Sequence, residues 1–504
     1  MKRSLNQFRN VIDGKTNRER ILSCEYLIIG SGAGGGHAFS KLVDTGADVL
    51  LIEEGPLYEQ ADFSVDEYEM YKNLYQDQST RTTADKGIRI LQGRNVGGST
   101  TVNWTTSLRA PESTLETWKQ TMGSELVDEI EKNYENMEKQ YHIKKWKLPA
   151  NENNLILKKA CEKKGWDYAI IPRNVKGCVN SGLCGLGCPF NAKVAPLTKN
   201  FPEALAKGGR LLYNTKAIKL TQRKGEISKV LCENPDGKYF EIYPKKVIFA
   251  AGSIGTPGLI LKSGIDLKTR VGERTFLHPT VMSASFHGQK IEGAKGAPQS
   301  IYSNHFLQES KDYLGFKLEM APIYPAIYAG ILPFAGKKYV EYIRKRPYSS
   351  AMIALIKDGF EADSMGGKVL VNPYGDYGLD YPISTKMWKS FQHALLTMAS
   401  AQFSVGAQEV KPGVHTDKLA KSPKEAKDII EQSPLKHPYY KIFSAHVMGG
   451  MGIGKSNGSS VDLSGKVRGL KNAYVLDGSL FPTSIGSNPM LSIYALTEAL
   501  LARM

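Results

Sequence analysis

The chain has 504 residues, a formal net charge of +16 and 41% hydrophobic residues. This length predicts two or more domains, and the composition is that of an ordinary globular protein, which excludes disordered and fibrous chains. The excess Lys and Arg are spread along the chain, and the one dense basic run, at the N-terminus, lacks the regularly interleaved aromatic residues of a single-strand binder. We therefore expect a lysine-rich surface and no nucleic-acid partner.

The most apolar stretch, residues 321–336, is short for a bilayer and is interrupted by prolines. We expect no transmembrane segment, while peripheral contact with a membrane stays open. No apolar segment follows the charges at the N-terminus, which predicts no secretory signal and a cytoplasmic protein. Export together with a partner subunit stays open as well.

The first chemical motif is a glycine-rich turn near the N-terminus. Tyr26–Ile29 is predicted to form a buried strand, and Gly30, Gly32 and Gly35 follow it as G-x-G-x-x-G. These glycines suit a tight turn, a close approach of a pyrophosphate and tight packing of the next helix. A second predicted strand ends at Glu53, which can accept hydrogen bonds from ribose hydroxyls. The motif predicts a dinucleotide but does not separate FAD from NAD.

Three later segments carry a similar signal. GRNVGGSTTVN has a Gly pair followed by polar residues, and AAGSIGTP follows an apolar strand and precedes a helix. Near the C-terminus a strand runs into Asp477-Gly478, and Asn488-Pro489 opens a terminal apolar helix. Asp477 is able to cap backbone groups or to bind a cofactor hydroxyl, and the helix start can direct its partial positive charge at an electron-rich ring.

Together with SAHVMGG, these segments resemble the glucose–methanol–choline (GMC) oxidoreductases, FAD enzymes that oxidise alcohols. Within that family the chain is most similar to the long-chain alcohol oxidase branch. The resemblance implies FAD, bound without a covalent link because Thr100, Thr101 and Val102 stand where some relatives have the linking histidine. It also implies the cofactor-binding residues Gly30, Gly32, Gly35, Glu53, Gly97, Gly98, Ser99, Asn103, Ala217, Asp477, Gly478 and Met490.

The expected fold class is mixed α/β and α+β. A Rossmann-like FAD-binding domain is built from discontinuous segments, and a substrate domain has an antiparallel sheet and covering helices. We place the first FAD segment at 22–115 and a helical substrate-cap segment at 116–176. The Cys-rich loop with the second FAD segment follows at 177–280, then the substrate-binding domain at 281–440 and the last FAD segment, with the catalytic histidine, at 441–504.

Alcohol oxidation by a flavin needs a base, and neutral histidine suits that role near pH 7. Of nine histidines, His446 precedes a Gly-rich stretch and matches the catalytic histidine of the family. Asn488 stands at the family's partner position, where its amide can hold the substrate oxygen. His278, before Pro279, is interpreted as structural.

Three of the six cysteines, Cys178, Cys184 and Cys188, lie within eleven residues. Their C-x5-C-x3-C spacing, with proline after the last cysteine, resembles the cluster-bearing sugar dehydrogenases of this family and implies a [3Fe-4S] cluster. The alternative is a loop of reduced structural thiols over the flavin. A disulfide is disfavoured in a cytoplasmic protein, and zinc lacks a fourth ligand.

The sequence therefore predicts an FAD-dependent oxidoreductase that oxidises an alcohol to an aldehyde or ketone, with a small-molecule substrate. An apolar wall is predicted from residues of the segment 316–328, and it favours a lipophilic alcohol; its members are Phe316, Leu318, Met320, Ile323, Tyr324, Ile327 and Tyr328. The first alternative is a sugar or polyol dehydrogenase that passes electrons through an iron–sulfur cluster to a protein or quinone. The second is a non-catalytic FAD electron carrier.

Overall fold

The computed structural model describes residues 4–362 and 364–504. Its helices are α1 (Ala33–Asp44), α2 (Glu67–Leu74), α3 (Ser99–Val102), α4 (Glu112–Met122), α5 (Ser124–Gln140), α6 (Glu152–Lys164), α7 (Asn200–Ala206), α8 (Gly252–Lys262), α9 (Pro325–Ile331), α10 (Gly336–Arg344), α11 (Thr385–Ser404), α12 (Pro423–Glu431) and α13 (Met490–Leu501).

The strands are β1 (Val11–Asp13), β2 (Ile21–Ile29), β3 (Val49–Ile52), β4 (Ile88–Ile90), β5 (Ile143–Lys145), β6 (Ala169–Ile170), β7 (Pro172–Asn174), β8 (Arg210–Tyr213), β9 (Lys216–Arg223), β10 (Glu226–Glu233), β11 (Tyr239–Phe249), β12 (Glu273–Phe276), β13 (Thr280–Phe286), β14 (Ile301–Ser303), β15 (Phe316–Met320), β16 (Ser349–Ile356), β17 (Gly367–Val371), β18 (Tyr377–Asp380), β19 (Glu409–Lys411), β20 (Ile442–Ser444), β21 (Met448–Gly449) and β22 (Ala473–Val475).

One sheet is largely parallel and brings distant parts of the chain side by side. Its order is β1-β8-β3-β2-β11-β10-β9, and β22 also pairs with β11. The strands β1, β8, β3, β2, β11 and β22 pair in parallel, whereas β9 and β10 form an antiparallel hairpin against the start of β11. Every residue of β3 is buried, as expected for a parallel strand that is covered on both faces.

The glycine-rich turn forms the strand, turn, helix and strand that its sequence predicts, as β2, α1 and β3. Gly30 has φ +104°, which side chains with a Cβ rarely adopt. A Cβ on Gly35 would lie 2.0 Å from the carbonyl oxygen of Gly30, so only glycine lets α1 pack this close to the turn.

The second large sheet is mainly antiparallel, in the order β4-β20-β13-β16-β15-β14-β6, with β19 paired to β13. Helices α6 and α11 cover one face, where Leu157, Phe391 and Met398 pack with Leu318 and Ile356 in one hydrophobic core. A smaller sheet, β18-β17-β12-β21, lies beside it. The predicted fold class, a Rossmann-like domain plus a substrate domain with an antiparallel sheet and covering helices, is confirmed, while the predicted domain borders stay predictions.

Two further motifs from the sequence form helices. Helix α8 begins at Gly252 in AAGSIGTP, so that Pro257 lies within the helix. The segment after Gly97-Gly98 is a one-turn helix, α3. Among the described residues, no helix combines the length and apolar character that a bilayer crossing requires.

Candidate active site

A cavity of about 1170 Å³ is lined by residues from both large sheets. This volume exceeds the roughly 300–1,000 Å³ of an ordinary small-molecule pocket, so the cavity has room for a cofactor together with a substrate. Most of the residues predicted from sequence line it: Gly30, Gly32, Glu53, Gly98, Ser99, Asn103, Ala217, His446, Asp477, Gly478, Asn488 and Met490.

The first turn of α1 lines one end of this cavity. The first N–H groups of a helix have no partner within it and are suited to phosphate oxygens. A Cβ on Gly32 would meet no atom within 4 Å, so the backbone is open to a ligand there. Gly35 and Gly97 lie behind this surface: Gly35 packs α1 against the turn, and the Gly97 N–H donates to the Ser31 hydroxyl over 2.9 Å. The residues present therefore fit a dinucleotide.

The Glu53 carboxylate ties the glycine-rich turn to the end of β3. It accepts hydrogen bonds from the Ser31 N–H (3.1 Å) and hydroxyl (2.6 Å), and from the Gly55 N–H (2.9 Å). Burial raises the pKa of Glu53 to about 7, although these hydrogen bonds act in the opposite direction. The residue thus orients the turn from within and still reaches the cavity.

Asp477 performs the backbone capping that was one of its two predicted roles. Its carboxylate accepts from the Gly252 N–H (2.8 Å), the Thr256 hydroxyl (2.7 Å) and the N–H and hydroxyl of Ser479. These bonds hold the start of α8 next to the loop at Gly478. Burial raises the pKa of Asp477, and the four donors oppose that shift.

The segment around Asn103 is anchored on both sides. The Asn103 amide donates to the Met490 sulfur at the start of α13. The buried Lys193 ammonium donates to the carbonyls of Thr101, Asn103 and Cys184 over 2.6–2.7 Å. Burial lowers the pKa of Lys193 to about 8. This lysine therefore joins the cysteine loop to the cavity wall.

His446 and Asn488 come together across 42 residues of sequence. Nε2 of His446 lies 3.4 Å from Nδ2 of Asn488, and both side chains line the cavity. The pKa of His446 is lowered to about 3, first because burial disfavours the imidazolium and then because the Lys317 ammonium repels it. At neutral pH the imidazole is therefore uncharged, and one of its two ring nitrogens carries a free lone pair.

His278 is in direct contact with His446, although its sequence suggested only a structural role. Its Nδ1 lies 3.2 Å from Nδ1 of His446, so one of the two nitrogens donates to the other. Burial lowers the pKa of His278 well below its usual range. Within the described residues, His278 Nε2 is buried and has no hydrogen-bond partner.

Two charged residues at the site were missed from sequence. Lys317 and Glu319 lie on β15, are fully buried and form an ion pair of 2.6 Å. Lys317 Nζ donates to Oδ1 of Asn488 over 3.0 Å. Glu319 lines the cavity and accepts from the Gln299 amide over 2.5 Å. The only sequence signal is that two charged residues alternate with apolar ones, which normally indicates a solvent-facing strand.

The predicted apolar wall is wrong for most of its members. Phe316, Leu318 and Met320 face the opposite side of β15 and belong to the hydrophobic core. Ile323 and Tyr328 pack in a smaller core cluster, and only Tyr324 and Ile327 line the cavity. The apolar surface of the cavity comes mostly from other residues: Met282, Ala321, Pro322, Ile331, Ile353 and Leu355.

The three clustered cysteines surround one small cavity of about 10 Å³, room for about one water. The sulfurs of Cys178 and Cys188 accept backbone N–H groups, and Cys184 accepts from Arg173 over 3.4 Å. Burial raises the pKa of the Cys184 thiol. Over the described part of the chain, no three His, Cys, Asp or Glu side chains are arranged to hold a metal ion. The predicted cluster therefore stays a prediction.

Known proteins are similar to this chain in sequence and in fold. Models described as GMC oxidoreductase match residues 71–280 and 374–497. A GMC-type oxidoreductase of Mycobacterium tuberculosis is 27% identical, with 95% of this chain and 75% of that protein covered. The long-chain-alcohol oxidase FAO4B of Arabidopsis thaliana is 28% identical, with 94% and 66% covered.

A solved structure of pyridoxine 4-oxidase from Mesorbium loti has the same fold. It superposes with a TM-score of 0.71 at 14% identity and covers 95% of this chain and 98% of its own. The two family models together match more than half of the chain. The chain therefore belongs to the GMC oxidoreductase family and is an FAD-dependent oxidoreductase.

Proposed function

We propose that this protein oxidises a lipophilic alcohol to the aldehyde or ketone, with His446 as the base and Asn488 as the group that holds the substrate oxygen. The observation that carries the proposal is the approach of His446 Nε2 and Asn488 Nδ2 to 3.4 Å at the wall of a large cavity. A non-catalytic electron carrier would not need this pair.

When bound, FAD supplies the acceptor for the hydride of the carbinol carbon. The residues expected to hold it are those of the α1 turn, Glu53, Gly98, Ser99, Asn103 and Met490. Nε2 of neutral His446 takes the hydroxyl proton, since burial keeps the imidazole uncharged at pH 7. The Asn488 amide donates to the developing alkoxide and keeps the carbinol in one orientation.

The lipophilic preference is supported by the far wall of the cavity. The residues that line it are Met282 from β13, Ile353 and Leu355 from β16, and Ile327 and Ile331 from α9. An alkyl chain buried there leaves water and gains about 0.8 kcal/mol per CH₂. FAO4B, a long-chain-alcohol oxidase by name, is similar over most of this chain, which favours the same class of substrate.

A second candidate function is a sugar or polyol dehydrogenase that passes electrons through a cluster to a protein or quinone. It is favoured by the three thiols around one cavity and by backbone N–H groups directed at two of the sulfurs. Gly185, next to Cys184, lines the large cavity, so a cluster there would be near the cofactor.

The function is tested by mixing the purified yellow protein anaerobically with an alcohol panel and recording flavin absorbance. We expect bleaching by C8–C16 primary alcohols at lower concentration than by butanol, glucose or sorbitol. The control is the same panel with free FAD. Bleaching by sugars alone would reject the lipophilic substrate, and no bleaching by any member would reject alcohol oxidation.

Iron content separates the two candidates. About three iron atoms per chain and a brown colour in protein purified anaerobically would support the cluster. We propose Cys178→Ser with Cys188→Ser as the matched variant: loss of iron with unchanged flavin reduction by alcohol is expected of a cluster that only carries electrons onward. A yellow, iron-free protein that is reoxidised by oxygen would leave the thiols structural.

A further inference from the structure

The buried ion pair Lys317–Glu319 lies directly behind the proposed catalytic pair. Both side chains are fully buried, and the Lys317 ammonium also lies 4.7 Å from the centre of the Tyr302 ring. Removing two charges from water is costly, and their mutual attraction offsets much of that cost without favouring folding strongly. Because the pair is expected to add little stability, a role in the function of the site would explain its position.

The ammonium dictates how the Asn488 amide is oriented. Lys has three N–H donors and no acceptor, so the atom 3.0 Å from Nζ must be the amide oxygen. The amide NH₂ group then faces the opposite way, toward His446 Nε2 and the cavity. Without Lys317 the two orientations of the amide would differ little, because oxygen and nitrogen have nearly the same shape.

The amide orientation in turn selects the tautomer of His446. An NH₂ group that faces Nε2 can donate only to a bare nitrogen, so the proton of neutral His446 lies on Nδ1. From there it can be shared with Nδ1 of His278, which lies 3.2 Å away. This tautomer leaves Nε2 without a proton beside the Asn488 amide at the cavity wall, as a base requires.

We propose that Lys317, held by Glu319, is a positioning residue that orients Asn488 and through it keeps His446 in the base-competent tautomer. Glu319 is itself fastened by Gln299, whose amide oxygen accepts from the Thr106 hydroxyl over 2.6 Å. A continuous series of hydrogen bonds and one ion pair therefore connects Thr106 at the cavity wall with the base, His446. This inference rests on the proposed function of His446 and Asn488.

The test is a double-mutant cycle on the FAD-loaded protein, read as the limiting rate of flavin reduction and the apparent Kd for the alcohol. Lys317→Met is combined with Glu319→Gln, so that no buried charge loses its partner. This neutral pair is measured alone and together with Asn488→Ala. The matched control is Lys386→Met with Glu361→Gln, a lysine–glutamate pair of 2.6 Å whose residues do not line the cavity.

We expect the neutral pair to slow reduction by about 10- to 100-fold with less than about threefold change in Kd. In the Asn488→Ala background the same change is expected to add less than about threefold, because the lysine acts through the amide. The control pair is expected to retain the rate. Lys317→Arg keeps a cation and N–H donors beside Asn488 and should retain most of the rate, which keeps the test informative if the double replacement folds poorly.

An unchanged reduction rate in the neutral pair would overturn the inference, and so would an equal loss with and without Asn488. A large rise in Kd at an unchanged limiting rate would place Lys317 in substrate binding instead. If wild-type protein is not reduced by any alcohol, the proposed function fails before this cycle is reached, so the two failures are distinguishable.

Discussion

Two short stretches of this molecule differ in how well the sequence predicts where their residues lie. The turn from Ile29 to Gly34 lines the cofactor end of the cavity, Gly35 packs behind it, and each glycine lies where its spacing predicts. Strand β15 lies at the substrate end, and its alternation predicts the reverse of what is found: Lys317 and Glu319 face inward toward the site, while Leu318 packs under α11. Local geometry therefore decides the first stretch, and the surrounding sheet decides the second.

The largest effect is expected at the substrate end, for His446→Ala. Loss of the base should slow flavin reduction by alcohol about 10²- to 10⁴-fold while FAD stays bound. Stopped-flow absorbance measures the rate, and the flavin spectrum reports the FAD content. The control is His142→Ala, a change at a partly exposed histidine. Its flavin should be reduced by alcohol at the wild-type rate. Wild-type kinetics in His446→Ala would remove the assignment of the base.

At the cofactor end, Gly35→Ala is expected to cost about 3 kcal/mol of unfolding free energy. The new Cβ would lie 2.0 Å from the Gly30 carbonyl oxygen and 2.9 Å from the Ala250 Cβ, so α1 must move away from the turn. Urea unfolding and FAD retention on gel filtration measure the effect. Gly378→Ala is the control, because a Cβ there meets no atom within 4 Å. Equal stability of the two variants would contradict the close packing.

Acid sensitivity in the substrate half should come from its buried histidines. Burial lowers the pKa of His287 to about 4 and helps to lower that of His446 to about 3. The cofactor half has its own acid-sensitive pair, because burial lowers the pKa of His37 and the hydrogen bonds from His37 and Lys41 outweigh burial and lower that of Glu498 to about 2. The unfolded chain takes up the histidine protons near pH 6.5 and the folded protein does not. Unfolding free energy should therefore fall as pH drops from 6.5 toward 4.

In His287→Gln, we expect the fall in unfolding free energy on acidification to be smaller by up to about 3 kcal/mol. Urea unfolding at pH 7, 6, 5 and 4.5 measures it. The glutamine amide is able to keep a hydrogen bond to Ser285, which now lies 3.0 Å from the ring. A His287 variant with the wild-type slope would show that carboxylates dominate.

The smallest effect on activity is expected where the two faces of the substrate region are compared directly. Ile327→Ala, in the cavity wall, should raise KM for a long-chain alcohol about tenfold and leave stability nearly unchanged. Leu318→Ala, in the core, should lower unfolding free energy by about 2–5 kcal/mol with little change in KM. Steady-state kinetics and urea unfolding of both variants test this; a reversed pattern would contradict the assignment of faces.

The sequence by itself determined the features whose cause is local. The G-x-G-x-x-G turn, the strand on each side of α1 and the acidic Glu53 all follow from backbone sterics and hydrogen bonding among neighbours in the chain. It also indicated His446 and Asn488, through motifs that lie far apart, although nothing in those motifs states that Nε2 and Nδ2 meet. The same holds for the cysteines, whose spacing suggested a shared site and whose side chains do surround one cavity.

Tertiary structure alone decided which face of β15 lies toward the site and which packs in the hydrophobic core. Period-2 alternation tells that two faces differ, but not which face meets water when helices cover one side of a sheet and a cavity lies on the other. It also decided that His278 contacts His446 and that Lys317 reaches Asn488, 171 residues away. Such contacts depend on which strands of the second sheet lie side by side and on where α13 begins beside them, because these positions bring together residues that are far apart in the sequence.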